Sequence, residues 1–196
     1  MARKTEERRA ALRETLIDIA ERVIRQDGIG ALKARDLAKE AGCALGAIYN
    51  VFGDLNDLVL EVNARTFRRL GLTVSEALAE APAEPVAQLI AMSRGYHRFA
   101  EANRPAWRAM FDIDRPAGQS APDWYLAEMA RLFAYIDAPL AVLFTDLAVD
   151  DRHLLARALF SSVHGIVALG LDEASAGVPP EQIDRMITLI LERMTA

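Results

Sequence analysis

The sequence has one cysteine, Cys43, three histidines, and no uninterrupted apolar run near the roughly 18 to 20 residues that a membrane span requires. A lone cysteine excludes an internal disulfide framework and a Cys-rich zinc site, and it fits a reducing compartment. The N-terminal segment MARKTEERRAALRE lacks the apolar core of a secretion signal. A soluble, cytoplasmic protein without membrane association is therefore expected. No stretch alternates apolar and polar residues long enough to argue for a sheet, and there is no internal repeat or low-complexity segment.

Material for catalysis is also scarce. His97 has Glu101 four residues on, and Asp150 precedes His153 by three, but one such pair supplies at most two metal ligands. A di-iron bundle needs further carboxylates and two Glu-x-x-His repeats, and the chain contains no Glu-x-x-His. Gly42, Gly46 and Gly53 do not form a phosphate-cradling loop. No catalytic residues, metal ligands or cofactor are expected, and a helical enzyme is the weaker of the function classes.

Of the 196 residues, 52% are hydrophobic, ample for a buried core. The net charge of −5 is at first sight wrong for a nucleic-acid binder, but its distribution is uneven. Residues 1 to 70 carry 13 Lys and Arg against 11 Asp and Glu, whereas the remainder carries 10 against 17. The basic excess concentrates where Arg3, Lys4, Arg8, Arg9 and Arg13 outnumber Glu6 and Glu7. Charge alone leaves open whether this is a solvated helix end or a DNA-contacting arm.

Periodicity predicts an all-α protein. A first helix over about residues 5 to 26 places Leu12, Leu16, Ile19, Ala20, Val23 and Ile24 on one face and stops at Asp27-Gly28. Short helices follow from about Ala34 to Glu40 and Leu45 to Val51, and Asp54 can cap a long helix from Leu55. Breaks are expected at Pro82 to Pro85, at Asn103 to Pro105 and over residues 112 to 122. The last two helices, about Asp150 to Leu171 and Pro180 to Thr195, are strongly apolar; Ile183, Met186, Ile187, Ile190, Leu191 and Met194 form a stripe on the second. Two such helices are short of partners in a chain of this size.

Residues 34 to 52, ARDLAKEAGCALGAIYNVF, have the physical features of a helix-turn-helix. Leu37, Ala38, Ala41, Ile48 and Phe52 can face inward, Gly42 permits the tight turn, and Ala44, Gly46 and Ala47 leave the second helix slender enough for a major groove. Cys43 in this turn reads as a small apolar residue. By pattern alone a plain helical hairpin stays open as the other reading.

The segment from the amphipathic first helix through ALKARDLAKEAG to GAIYNVFGDLNDLV resembles the N-terminal domain of the TetR (tetracycline repressor) family, with matches at Arg35, Leu37, Ala38, Ala41, Gly42, Gly46, Ile48, Tyr49, Phe52 and Leu58. The resemblance implies a three-helix DNA-binding head over 1–54 and a helical-bundle ligand-binding and dimerisation domain over 55–196, linked by the helix from residue 55. It implies contacts to double-stranded operator DNA from Arg35, Leu45, Gly46, Ala47, Tyr49 and Asn50. Tyr49 would meet a phosphate, Arg35 a base edge or phosphate, and Asn50 a base edge. Departures lie at Lys33-Ala34 and Ala44, which replace capping hydroxyls, and at Leu55, which replaces a phosphate-binding lysine. A related protein with weakened DNA binding is thus the alternative function.

RPAWRAMFD, residues 104 to 112, and ALFSSVHGIVALGL, residues 158 to 171, resemble the C-terminal domain of a TetR subgroup with a Trp…His-Gly pattern. His164-Gly165 match, while Phe160 stands where tryptophan is usual. The resemblance implies a homodimer through the last two helices, with Leu159, Ile166, Ile183, Ile187, Ile190 and Met194 at the interface, and hence a palindromic operator. It also implies a pocket for a mostly apolar small-molecule effector, with walls drawn from Met92, Tyr96, Trp107, Phe111, Tyr125, Met129, Phe133 and His164. From spacing alone the same residues read equally as core. Repression is the expected mode of regulation.

Overall fold

The computed structural model describes residues 2–113, 120–172 and 178–195, and among these there are helices but no strand. The helices are α1 (Ala2–Asp27), α2 (Ala34–Glu40), α3 (Leu45–Val51), α4 (Leu55–Ala79), α5 (Pro85–Ala102), α6 (Arg104–Ala109), α7 (Asp123–Leu143), α8 (Val149–Gly170) and α9 (Pro180–Met194). The predicted all-α class holds, and the predicted α2 and α3 agree with the observed ones end to end. The expected breaks before Pro85 and at Asn103 also fall between helices, with Pro105 in the first turn of α6, where its missing N–H costs no helical bond. Residues 114–119 and 173–177, in two expected interhelical segments, lie outside the described residues.

Local chemistry explains the ends around the helix-turn-helix. Gly28 and Gly42 have φ of +81° and +64°, a region other residues enter only with strain, and each sits just past the end of a helix. The Gly28 N–H donates to the Ile24 carbonyl at 3.0 Å, and the Cys43 N–H to the Ala38 carbonyl at 3.0 Å. Asp54 behaves as expected at the start of α4: its Oδ1 accepts from the Asp57 N–H at 2.9 Å.

The chain forms two compact units, Met1–Thr66 with Asn103–Tyr125, and Phe67–Ala102 with Leu126–Ala196. This division by packing differs from the functional boundary expected at residue 54. In the first unit, Leu16, Ile17, Ala20 and Ile24 of α1 meet Leu37, Ala38, Ile48 and Phe52 of the helix-turn-helix and Leu58, Val59 and Val62 of α4. Ala106 and Ala109 of α6 belong to the same cluster, so a segment 44 residues beyond Val62 completes the core of the head. Asn63, wholly buried on α4, fixes it there by donating from Nδ2 to the Ala109 carbonyl at 2.8 Å.

In the second unit α9 packs against α5 and α8. Its buried stripe is Ile183, Ile187 and Leu191, which are shielded within the protomer together with Leu159, Val163 and Val167 of α8. A hydrogen bond between His97 Nδ1 and Asp184 Oδ1, 2.9 Å long, joins α5 to α9. By length and composition alone α8 is apolar enough to cross a membrane, although charged and polar residues interrupt its apolar runs; only 22% of its most apolar stretch is buried in the protomer.

Candidate nucleic-acid interface

On the seven residues of α3, spacing divides two faces. Ile48 is fully buried and anchors the helix to the head, while Leu45, Gly46, Tyr49 and Asn50 are exposed and Ala47 is half-buried. Tyr49 is 48% exposed, too open for a core aromatic. Arg35, on the first turn of α2, is also exposed. All six residues expected to touch DNA therefore lie on α2 and α3 of the first unit, five of them exposed. Cys43 is half-buried against the head's core, as expected for a small apolar residue. No side-chain hydrogen bond caps α2 or α3, in line with Lys33 and Ala44 at the capping positions.

The end of α3 has a partner that sequence reasoning missed. Arg9 Nη2 donates to the Asn50 carbonyl at 3.0 Å across 41 residues of sequence. One turn along α1, Arg13 lies over the Phe52 ring, 5.5 Å from its centroid, and pairs with Glu61. Arg9 and Arg13 continue the stripe of Leu16 and Ala20 at helical spacing, so the face that builds the core delivers them to the end of α3. That continuity is the signal that could have found them.

Further along α1, Arg65 of α4 binds Asp18 at 2.6 Å, Glu14 at 2.7 Å and Glu21 at 2.9 Å. Burial opposes its charge, but hydrogen bonds to Asp18 and Glu21 prevail and raise its pKa above the ordinary guanidinium value. Arg22 holds both carboxylate oxygens of Glu40 at 2.6 Å, tying α1 to α2. These pairs fix the scaffold on which α3 is displayed.

The residues expected to line an effector pocket divide between the units. Met92, Tyr96, Met129, Phe133 and His164 belong to the second unit; Trp107, Phe111 and Tyr125 belong to the first. In the second unit an aromatic cluster forms around Phe160. The Phe160 ring stacks on His164 at 5.6 Å and meets Tyr96 and Phe133 edge-on at 5.8 and 5.4 Å. Tyr96 Oη and His164 Nδ1 share a 2.7 Å hydrogen bond, and burial pushes the imidazole pKa below its usual value. Sequence reasoning passed over Phe160 as a substitute for tryptophan, although it precedes His164 by one helical turn. In the first unit Trp107 meets Phe111 edge-on at 5.7 Å, and Phe111 is 44% exposed.

The expected dimer residues divide by burial within the protomer. Leu159, Ile183 and Ile187 are 2, 0 and 0% exposed, buried by their own protomer. Ile166, Ile190 and Met194 are half-buried. The apolar side chains that α8 and α9 turn outward are instead Leu154, Leu169, Met186 and Leu189.

A family model described as "Bacterial regulatory proteins, tetR family" matches residues 16–62, and one described as "Tetracyclin repressor-like, C-terminal domain" matches residues 89–194. The chain belongs to the TetR family. Among relatives of this TetR-family chain, the HTH-type transcriptional regulator AcrR of Shigella flexneri is 34% identical over 89 residues, 45% of this chain and 41% of AcrR. The HTH-type transcriptional regulator BetI of Brucella suis is 32% identical over 101 residues, covering 50% of this chain and 51% of BetI. The matches thus span about half the length of these curated relatives.

Among solved structures, a protein of unknown function from Rhodococcus sp. RHA1 is similar with a TM-score of 0.71 and 25% identity, covering 94% of this chain and 93% of that one. RolR, solved with resorcinol, has a TM-score of 0.71 at 18% identity, with 96 and 89% coverage. FadR of Bacillus subtilis, solved with stearoyl-CoA, has 0.67 at 16% identity, with 93 and 97% coverage. The latter two likenesses show a shared fold.

Proposed function

We propose that this TetR-family chain is a ligand-responsive transcriptional regulator that binds a palindromic operator as a homodimer and represses from it. The observation that carries the reading is the face of α3, where Leu45, Gly46, Tyr49 and Asn50 are exposed over the buried Ile48, within the segment matched to the tetR family of bacterial regulatory proteins. In this reading residues 1–54 form the DNA-binding domain and residues 55–196 the ligand-binding and dimerisation domain. α3 enters the major groove. Tyr49 and Arg35 hold phosphate or base edges, Asn50 reads a base, and Leu45 and Ala47 meet thymine methyls. A cytoplasmic location follows from this role.

Dimerisation through α8 and α9 would cover Leu154, Leu169, Met186 and Leu189, with Ile166, Ile190 and Met194 at the margin. An outward apolar face of this kind also accounts for the membrane-like composition of α8 without a membrane. Two-fold symmetry then sets the recognition helices about 34 to 36 Å apart on successive turns of the groove. The effector is a small, mostly apolar or aromatic molecule, recognised by the aromatic cluster of Tyr96, Phe133, Phe160 and His164, with Met92 and Met129 as further candidates. Resorcinol and the stearoyl chain in RolR and FadR fit the same chemical class. The family identity favours a regulator over a helical enzyme.

One observation favours the alternative of a weakened DNA binder. Leu55 packs against the core of the head, so the start of α4 presents Asp54 and Asp57 and no cation. Selection of random double-stranded DNA by the purified chain, with an Arg35→Ala, Tyr49→Ala double variant as control, tests the choice. An enriched palindrome lost in the variant supports the regulator; no enrichment, with or without candidate aromatic ligands, overturns it.

A further inference from the structure

The basic end of α1 is not used by the reading above. Lys4 and Arg8 stand four residues apart on one face of α1, both exposed, and no ion pair engages either among the described residues. Arg3 pairs with Glu7 at 3.1 Å, but both side chains are open to water, at 94 and 63% exposure. Residues 2 to 13 hold five cations and two acids. At a rise of about 1.5 Å per residue, the stretch from Ala2 to Arg9 extends about 10 Å beyond the contact with α3.

That contact removes the ambiguity left by charge alone. The Asn50 carbonyl lies in the last turn of α3, where the helix has no N–H of its own to offer it, and the Arg9 guanidinium supplies one. Behind it Arg13 is set against Phe52 and Glu61. The end of α1 is thus held by two successive arginines at the C-terminal end of the recognition helix, five residues before Leu55, where the phosphate-binding lysine is missing. Among the described residues, Arg9 is the exposed cation hydrogen-bonded to α3.

We propose that the first two turns of α1 form a second, sequence-independent DNA contact. Arg9, anchored on the Asn50 carbonyl, is the positioning residue that sets this end of α1 beside α3, and Lys4 and Arg8 engage the phosphate backbone flanking the groove that α3 reads. The contact takes over the role that Leu55 cannot fill. It rests on the DNA-binding function proposed above.

The test uses the full chain and a duplex recovered by random selection, with fluorescence anisotropy between 50 and 200 mM salt. Each phosphate contact adds about 0.9 to the slope of log affinity against log salt, so the Lys4→Ala, Arg8→Ala variant, which removes two contacts from each protomer of the dimer, is expected to lower that slope by about 3.6. The unmodified dimer then loses about 150-fold more affinity than the variant over this fourfold range. The selected sequence is expected to stay the same, since phosphates carry no base information. Arg9→Met, which retains Lys4 and Arg8 but loses the anchor, is expected to give up most of the same slope. Both variants change exposed side chains, and circular dichroism checks that their helix content is retained. Equal slopes for the unmodified chain and Lys4→Ala, Arg8→Ala overturn the phosphate contact while leaving the regulator reading intact. An unmodified slope in Arg9→Met overturns the anchoring role. Failure of the unmodified chain to bind any selected duplex overturns both.

Discussion

Asn63 of α4 and Ala109 at the end of α6 are joined by a 2.8 Å hydrogen bond in a wholly buried setting. The carboxamide nitrogen donates to a helix-terminal carbonyl that α6, only six residues long, has no N–H of its own to satisfy. Asn63→Ala leaves that carbonyl without its partner inside the core and opens a small cavity. A loss of about 1 to 3 kcal/mol in unfolding free energy is expected from the unsatisfied group alone. Urea denaturation checks it, and a variant as stable as the parent would mean that the bond is not holding α6 in the head.

For the recognition helix, exposure on α3 assigns different work to neighbouring residues. Tyr49, open at 48%, offers a hydroxyl suited to phosphate, which every sequence presents alike. Tyr49→Phe is therefore expected to weaken binding to all duplexes by a similar factor. Asn50→Ala removes an amide that can read adenine, worth about 1 to 3 kcal/mol of discrimination, and is expected to broaden the selected sequence. Selection repeated with each variant separates the two. Unchanged binding in both would remove α3 from the interface.

How much of this was legible depended on the range of the interaction. The bounds of α2 and α3 and the positions of Gly28, Gly42 and Asp54 follow from local backbone chemistry, and they were readable. The stripe on α9 was also readable as apolar, but periodicity names a buried face without naming what buries it. The outcome is that α5 and α8 of the same protomer cover Ile183 and Ile187, leaving Met186 and Leu189 outward. The insertion of Ala106 and Ala109 into the head's core was not readable, because two alanines far along the chain carry no local sign of their partner. Arg9 and Asn50 are likewise 41 residues apart, and a surface arginine looks the same whether solvated or bound to a distant carbonyl.

The burial pattern on α9 yields a paired prediction. Leu189 is 47% exposed, so Leu189→Asp is expected to change the stability of an isolated protomer by no more than about 0.5 kcal/mol while splitting the dimer. Ile187 is fully buried, and Ile187→Asp places an unpaired carboxylate in the core, a change of about 4 kcal/mol or more that unfolds the second unit. Sedimentation and circular dichroism together distinguish the cases. A helical, dimeric Leu189→Asp variant would exclude this face from the interface.

The bond between Tyr96 and His164 makes the second unit sensitive to acid. Burial lowers the His164 pKa, so the folded state favours the neutral ring, and with Nδ1 unprotonated the Tyr96 hydroxyl donates to it at 2.7 Å. The unfolded chain takes up the proton at the ordinary value of 6.5, before the folded chain does. Between the two pKa values the unfolded state binds more protons, so stability rises with pH. The contribution of His164 is thus complete above the ordinary value and is lost as pH falls from there to the depressed one. Asp137, whose carboxyl is held low chiefly by its hydrogen bond from Arg152, keeps its own stabilisation above the ordinary value of 3.8 and loses it as pH falls through its folded pKa. His164→Phe keeps an aromatic ring against Phe160 but cannot titrate. Urea midpoints at pH 7.5 and pH 5 are expected to differ less in the variant than in the parent; an equal difference would assign the acid sensitivity to other groups.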